Sequence, residues 1–251
     1  MEQTELLNLS VELGCSLLKS GAETYRVEES VMRFATACRK DTPSVFAVPT
    51  CIIVSLTDEE GKTVTQSRRL HNRTVDLDRI DQLNNFCRKV CTGPISAQEA
   101  WSELTAIQER RPYSMPMKVL GFMLISFSFT LFFGGTLRDA LFSLIMGAAA
   151  ELAVYAMEHW GANGVLVNLV ASGLAAGLAA LAVDLGIANN VDKMVIGTFM
   201  ALVPGVALTN AMRDIMAGDY LAGQTRLTEA LLTAAALALG AGAALSIARL
   251  F

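Results

Sequence analysis

The chain has 251 residues, 53% of them hydrophobic and 18% charged, with a formal net charge of −4. Soluble domains average about 25% charged residues, so this sequence is too apolar for an ordinary globule, and its acidic balance argues against nucleic acid as a partner. Residues 1–118 hold 15 of the 20 Lys+Arg and 16 of the 24 Asp+Glu, whereas residues 119–251 hold 15 of the 19 glycines. A charged block followed by a Gly/Ala/Leu-rich one excludes a disordered chain and a secreted disulfide scaffold.

The N-terminus carries Glu2, Glu5 and Glu12 where a signal peptide has basic residues, so the polar block is expected to stay in the cytoplasm. Cys15, Cys38, Cys51, Cys87 and Cys91 include no CxxC pair, and the histidines are His71 and His159. A structural zinc site takes four such ligands at close spacing. No metal and no cofactor is expected, and the thiols read as small buried groups in a reducing compartment.

In the polar block, Leu6, Leu9, Leu13 and Leu17 recur at helical spacing and predict a helix over Glu2–Lys19. Ser20-Gly21-Ala22-Glu23 fits a capping box opening a second helix to about Arg39. Val45–Thr57 and Lys62–Leu70, joined by Asp58-Glu59-Glu60-Gly61, read as a hairpin, with Pro49 placing the first strand at an edge or bulge. Asp76 caps a helix to about Cys91, Gly93-Pro94 breaks it, and Ser96/Glu99 is a capping box for a helix stopping at Pro112. Residues 1–111 are thus expected to form a cytoplasmic α+β domain. Its charged patches, Glu23/Arg26/Glu28/Glu29 and Arg68/Arg69/His71/Arg73, read as solvated faces with i,i+4 pairs rather than acid/base machinery. No GxSxG, HExxH, P-loop or GxGxxG run is present.

Residues 112–251 carry five apolar runs near 117–137, 140–157, 165–183, 194–209 and 230–248, each close to the length needed to cross a bilayer. The expected fold is mainly α: the α+β domain, of helices plus a β-hairpin, followed by a five-helix transmembrane bundle. Arg110, Arg111, Lys118, Arg213 and Arg226 fall on one side of that bundle, against Arg138, Lys193 and Arg249 on the other. This bias puts the N-terminus inside and the C-terminus outside. Gly173 and Gly177, and Ala236, Gly240 and Ala244, are small residues four apart that let helix backbones approach closely.

Three features exceed packing. Glu151 sits mid-span, where a charge is costly and marks a pathway or a protonatable coupling group. Pro204-Gly205 interrupts the fourth span, and broken helices at membrane depth line cavities and form transport sites. Thr209, Asn210, Arg213 and Asp214 follow at once. The opened backbone with Thr209 and Asn210 is expected to bind a small-molecule substrate, with Arg213 pairing its carboxylate. The bottom-up alternative is a membrane-anchored enzyme with its active site in the cytoplasmic domain; the several spans and the internal Glu weigh against it.

Pro204-Gly205-Val206-Ala207-Leu208-Thr209-Asn210-Ala211 through Asp214, with Gly218-Asp219 and Arg226, resembles the threonine/serine exporter family. Ser20–Glu23, Arg26-Val27-Glu28 and the Arg68/Asn72-Arg73 region are similar to that family's cytoplasmic portion. The resemblance implies a subunit of a secondary exporter in the inner membrane rather than an enzyme. The chain resembles the larger, YjjP-like subunit of two-subunit exporters, which implies a smaller membrane subunit as partner and an oligomeric assembly in the lipid bilayer. Its cargo would be a small hydrophilic carboxylate-bearing solute, either threonine/serine or a C4 dicarboxylate such as succinate.

Overall fold

The computed structural model describes residues 2–71, 74–93, 95–110 and 113–250; Asn72, Arg73, Pro94, Arg111 and Pro112, invoked above, lie outside the described residues. The chain divides into two compact units, Met1–Arg111 with Val206–Thr228, and Pro112–Gly205 with Glu229–Phe251.

In the first unit, α1 (Gln3–Lys19) buries Leu6, Leu9, Leu13 and Leu17 completely or nearly so, as its spacing requires. The expected Ser20/Glu23 capping box does not form. Ser20 ends α1 instead: Gly21, at φ +87°, donates to the Leu18 carbonyl, and Ala22 donates to that of Leu17. This helix closure needs a left-handed residue, which glycine adopts without a Cβ penalty. The next helix, α2 (Thr24–Cys38), then starts with Glu23 at its N-cap and no local side-chain cap.

Val45–Thr57 is two strands rather than one. β1 (Thr42–Val48), β2 (Cys51–Thr57) and β3 (Thr63–Arg69) form an antiparallel meander in the order β1-β2-β3. Val48 pairs with Cys51 across Pro49-Thr50, because proline has a fixed φ and no N–H to give a ladder, and so suits a turn. Ile52, Val54 and Leu56 alternate into the core and are fully buried. α3 (Leu77–Thr92) is capped by Asp76, which accepts from the Arg79 N–H, and α4 (Ala97–Gln108) carries the expected Ser96/Glu99 box. The Phe34 and Phe86 rings, 5.7 Å apart, join α2 to α3 in the core.

Residues 206–228, expected within the transmembrane bundle, pack with this N-terminal unit as a helical hairpin. α9 (Gly205–Ala217) closes through Gly218 at φ +95°, which donates to the Ile215 carbonyl, and Asp219, which donates to that of Asp214. α10 (Tyr220–Ala248) follows. Gly223 lets the two approach: a Cβ there would lie 2.9 Å from the Ala211 carbonyl oxygen.

The second unit contains α5 (Met115–Phe132), α6 (Leu137–His159), α7 (Gly164–Asp184), α8 (Val191–Phe199) and the greater part of α10. Among the described residues, α5, α6, α7 and α10 are the four helices long and apolar enough to cross a membrane. The expected span at 194–209 is not one continuous helix. α8 stops at Phe199, turn bonds to the Thr198 and Phe199 carbonyls carry the chain through residues 201–203, and a new helix starts after Pro204. Pro204 has no N–H with which to continue α8.

Arg138-Asp139, expected in a loop, lies in the first turn of α6. Asp139 is fully buried; it accepts from the Thr136 N–H and hydroxyl, from the Asn189 and Asn190 N–H groups, and from the Asn190 amide. α5 and α6 meet through small residues and hydroxyls. Thr130 and Ser143 share a hydrogen bond of 2.8 Å, and a Cβ on Gly147 would sit 2.5 Å from the Phe122 carbonyl oxygen. Of the GxxxG glycines, Gly173 faces Gly240 of α10 at 3.3 Å, whereas nothing lies within 4 Å of a Cβ on Gly177.

That contrast is testable. Gly147→Ala forces α5 and α6 apart and should destabilise the protein by about 1–3 kcal/mol, the usual range for overpacking. Gly177→Ala meets open space and should be neutral or stabilising by up to about 1 kcal/mol, since Gly disfavours helix interiors. Unfolding titrations in mixed detergent, read by circular dichroism, compare the two.

Candidate functional site

The start of α2 needs acceptors for the N–H groups that open a helix, and they come from far along the chain. Asp214 on α9 takes the Thr24 N–H on one carboxylate oxygen at 2.9 Å and the Thr24 hydroxyl on the other at 3.2 Å. Arg226 on α10 places Nε 3.0 Å from the same carboxylate and donates through its terminal nitrogens to the Ala22 carbonyl at 2.6 Å and the Gly21 carbonyl at 3.5 Å. The Asn210 amide donates to the Gly21 carbonyl at 3.0 Å. Glu23 points the other way and accepts from Arg213 at 2.6 Å, with Arg26 3.9 Å away.

Asp214 and Thr24 are fully buried and Arg226 is 8% exposed. A buried charge must be paired and hydrogen-bonded to persist, and here every donor comes from the same constellation. Asn210 and Asp214 are four apart on α9 and share its buried face; Arg213, beside them, reaches sideways and stays 59% exposed. The cluster holds two carboxylates, Glu23 and Asp214, and each faces at least one guanidinium group: Arg213 and Arg26 for Glu23, Arg226 for Asp214. Burial pushes the Asp214 carboxyl up, against the attraction of Arg226 and the Thr24 hydrogen bonds. Glu23 moves the opposite way: burial raises it, but its own N–H, Arg213 and Arg26 together lower it further. Glu28, whose carboxylate accepts from the Ala47 N–H, is raised by burial, with the Asp219 and Asp214 charges adding to the shift.

Of the residues expected to bind substrate, the structure brings together Asn210, Arg213 and Asp214. Thr209 is exposed and its hydroxyl donates to the Val206 carbonyl one turn back. Pro204 and Gly205 belong to the other unit, at the end of the turn that opens α9. Glu151 also belongs to the apolar unit. It is 5% exposed on α6, and Asp139, Ser143 and Gly147 precede it on the same buried face at four-residue steps. Tyr155, one turn beyond Glu151, is 52% exposed and stacks on His159. The sequence reading passed over Thr24 as a site residue and gave Arg226 no binding role. One signal was present: five of the 13 charges in residues 119–251 fall within 213–229, too dense for a segment immersed in lipid.

Other cavities lie elsewhere. One of about 530 Å³, between α2 and α3, is lined by Arg26, Arg33, Arg88 and Cys91; one of about 390 Å³ in the apolar unit is lined by Asp184, Asp192 and Arg249 among apolar side chains. Neither includes an expected site residue.

The lowered Glu23 carboxyl sets a pH dependence. Its pairing stabilises the folded cluster above the unfolded value of about 4.5, and that contribution is lost as the pH falls through the lower folded value. Glu23→Gln should therefore weaken amide-exchange protection at the start of α2 at pH 7, by at most about 1 kcal/mol because Arg213 is largely solvated. The difference from wild type should vanish in acid.

A family model described as "Putative threonine/serine exporter" matches residues 8–248. The chain is 22% identical over 238 residues to the "Probable threonine/serine exporter" of Mycobacterium tuberculosis. That alignment covers 94% of this chain and 45% of that protein, so the chain spans less than half the length of this curated relative. No solved structure matches. A match over nearly the whole chain, carried by four apolar helices and a polar unit, places the protein in the threonine/serine exporter family.

Proposed function

We propose that the chain is a subunit of a secondary exporter that moves L-threonine and L-serine out of the cytoplasm, working with a smaller membrane subunit of the same family in the inner membrane. The family match over residues 8–248 carries this reading, and a relative about twice as long supports a second set of membrane segments. The engagement of Arg213 and Arg26 with Glu23, and of Arg226 with Asp214, favours a zwitterionic amino acid over a C4 dicarboxylate such as succinate, which calls for unpaired cations. Glu151, a carboxyl buried in the apolar unit, is the protonatable coupling group in this scheme.

The hydrogen bonds from residues 210–226 to residues 21–24 also support an orientation. In this reading, that pairing puts residues 206–228 on the same side of the bilayer as the N-terminal residues. α5, α6 and α7 make three crossings between these segments, so a fourth must return the chain within residues 185–205. α8, at nine residues and about 13 Å, is shorter than a hydrocarbon core of about 30 Å. The turn ending at Pro204 would complete that crossing, as irregular backbone does where protein covers it. α10 then leaves the N-terminus inside and the C-terminus outside. Reporter fusions at residues 60 and 219 should both read cytoplasmic, and one after residue 250 extracytoplasmic; both ends on one side would remove the fourth crossing.

The transport reading is tested with vesicles loaded with labelled L-threonine, L-serine or succinate and holding this chain with and without its smaller partner. Efflux of the two amino acids should require both chains. Glu151→Gln keeps the volume and removes the charge change; it should insert normally yet lose any dependence of efflux on pH that wild type shows. Efflux of succinate alone, or none, overturns the substrate assignment.

A further inference from the structure

We propose that the cavity of about 530 Å³ between α2 and α3 binds a phosphate monoester, with Arg26, Arg33 and Arg88 as its cations.

Three guanidinium groups line this cavity against one carboxylate, Glu29. Arg26 and Arg33 stand two turns apart on α2 and so on one face, and α3 brings Arg88 to the same space. Their local pairs leave positive charge over. Glu29 takes Arg33 at 2.5 Å. Glu23 lies 3.9 Å from Arg26 but is held at 2.6 Å by Arg213. Arg88 donates to the neutral Asn85 oxygen at 2.6 Å, and no carboxylate lies within ion-pair distance of it among the described residues. Lys89, the next residue, shows the ordinary arrangement: it points out of the cavity and meets Glu103 of α4 at 2.6 Å. A cleft lined by one sign of charge concentrates counter-ions within it, so the chemistry of the cavity is that of an anion site.

The geometry selects among anions. A carboxylate offers one planar edge, which a single guanidinium fork fills. The terminal oxygens of a phosphate monoester point in separate directions and accept from several guanidinium groups at once, as three arginines on two helices supply them. Its charge at pH 7, about −1.5 to −2, matches an excess of two cations. Ser30 and Asn84 line the same cavity, and their side chains carry no hydrogen bond among the described residues, so a hydroxyl and an amide are ready for further oxygens. The volume falls in the range of about 300–1,000 Å³ typical of small-molecule sites and exceeds what the phosphate alone fills. The group therefore carries an organic body, which meets the thiols of Cys87 and Cys91 on the cavity wall. A soluble ester and a lipid headgroup both present this chemistry.

The test uses the full chain in nanodiscs of neutral phosphatidylcholine, with and without phosphatidic acid, and labelled sn-glycerol 3-phosphate in solution at fixed ionic strength. Equilibrium dialysis reads binding of the soluble ester. Alkylation of Cys91 by N-ethylmaleimide, followed by peptide mass spectrometry, locates the ligand, because Cys91 is exposed and lines the cavity; Cys51 on β2, outside it, is the internal reference. Glycerol 3-phosphate should bind and should slow alkylation of Cys91 but not of Cys51. Arg88→Gln strands no carboxylate and should weaken binding about tenfold, the worth of one hydrogen bond to a charged group. Lys89→Gln removes the same charge outside the cavity and should change nothing. Both positions are exposed, so both variants should keep the wild-type circular dichroism. Protection of Cys91 by phosphatidic acid alone, lost in Arg88→Gln, gives the site to a lipid headgroup; protection by the soluble ester in neutral nanodiscs gives it to a soluble one. No protection of Cys91 from either source, or equal weakening by Arg88→Gln and Lys89→Gln, makes these arginines a solvated helix face and overturns the proposal. Efflux enters neither readout, so the exporter reading stands or falls separately.

Discussion

A carboxylate with no exposed surface is the constraint around which the polar unit is arranged. Asp214 cannot be left ionised in a dry interior without partners, since the effective desolvation penalty of a buried ion is several kcal/mol. Arg226 answers its charge, and Thr24 satisfies the lone pairs that Arg226 leaves. Arg226 is itself nearly buried, and its remaining donors go to the carbonyls of Ala22 and Gly21. Those carbonyls are available because Gly21 turns the chain out of α1 in a left-handed conformation. The closure of one helix, the opening of the next and the docking of a hairpin 190 residues away are thus one hydrogen-bonded object. Removing any single member leaves a buried group unpaired, which costs more than the contact itself contributes.

The apolar unit solves a related problem by other means. Asp139 is also a fully buried carboxylate, but its donors are neutral: hydroxyl, amide and backbone N–H groups from Thr136, Asn189 and Asn190. It fixes the loop before α8 against the first turn of α6, where the helix N-terminus favours negative charge. Further along the same helix, close approach replaces charge. Gly147 admits the α5 backbone, and on α10 Gly240 admits that of α7, the packing that membrane helices use where lipid supplies no hydrophobic drive. Glu151 sits on the face that carries Asp139, Ser143 and Gly147, so the polar side of α6 runs from its capped end well into the helix.

Much of this was legible from residue order. The leucine stripe of α1, the Asp76 and Ser96/Glu99 caps and the four long apolar helices are local patterns, and local patterns determine them. The misreadings share a cause. Ser20-Gly21-Ala22-Glu23 satisfies a capping-box pattern, yet the glycine that makes a helix stop outcompeted the serine that makes one start. Pro49 was read as a flaw in a strand when it was the turn between two. Residues 206–209 read as the end of a span because Val206, Ala207 and Leu208 continue an apolar run. What moves them into the polar unit is the pairing of Asp214 with Thr24 and Arg226, and no local periodicity encodes a contact across 190 residues. Asn210, Arg213 and Asp214 sit together on α9, but their partners, Gly21, Glu23 and Thr24, lie at the opposite end of the sequence.

The composition of that cluster bears on what it can recognise. A site for a dicarboxylate gains by presenting unpaired cations, because two anionic groups must both be met. Here each guanidinium already faces a carboxylate, Arg213 with Glu23 and Arg226 with Asp214, so adding a doubly charged anion leaves two displaced protein carboxylates without partners. A zwitterion exchanges like for like: its ammonium replaces a donor on Asp214, and its carboxylate replaces an acceptor on an arginine, so no charge is left uncompensated at either step. In the proposed exporter, the charged pairs therefore suit a zwitterion better than a doubly charged anion.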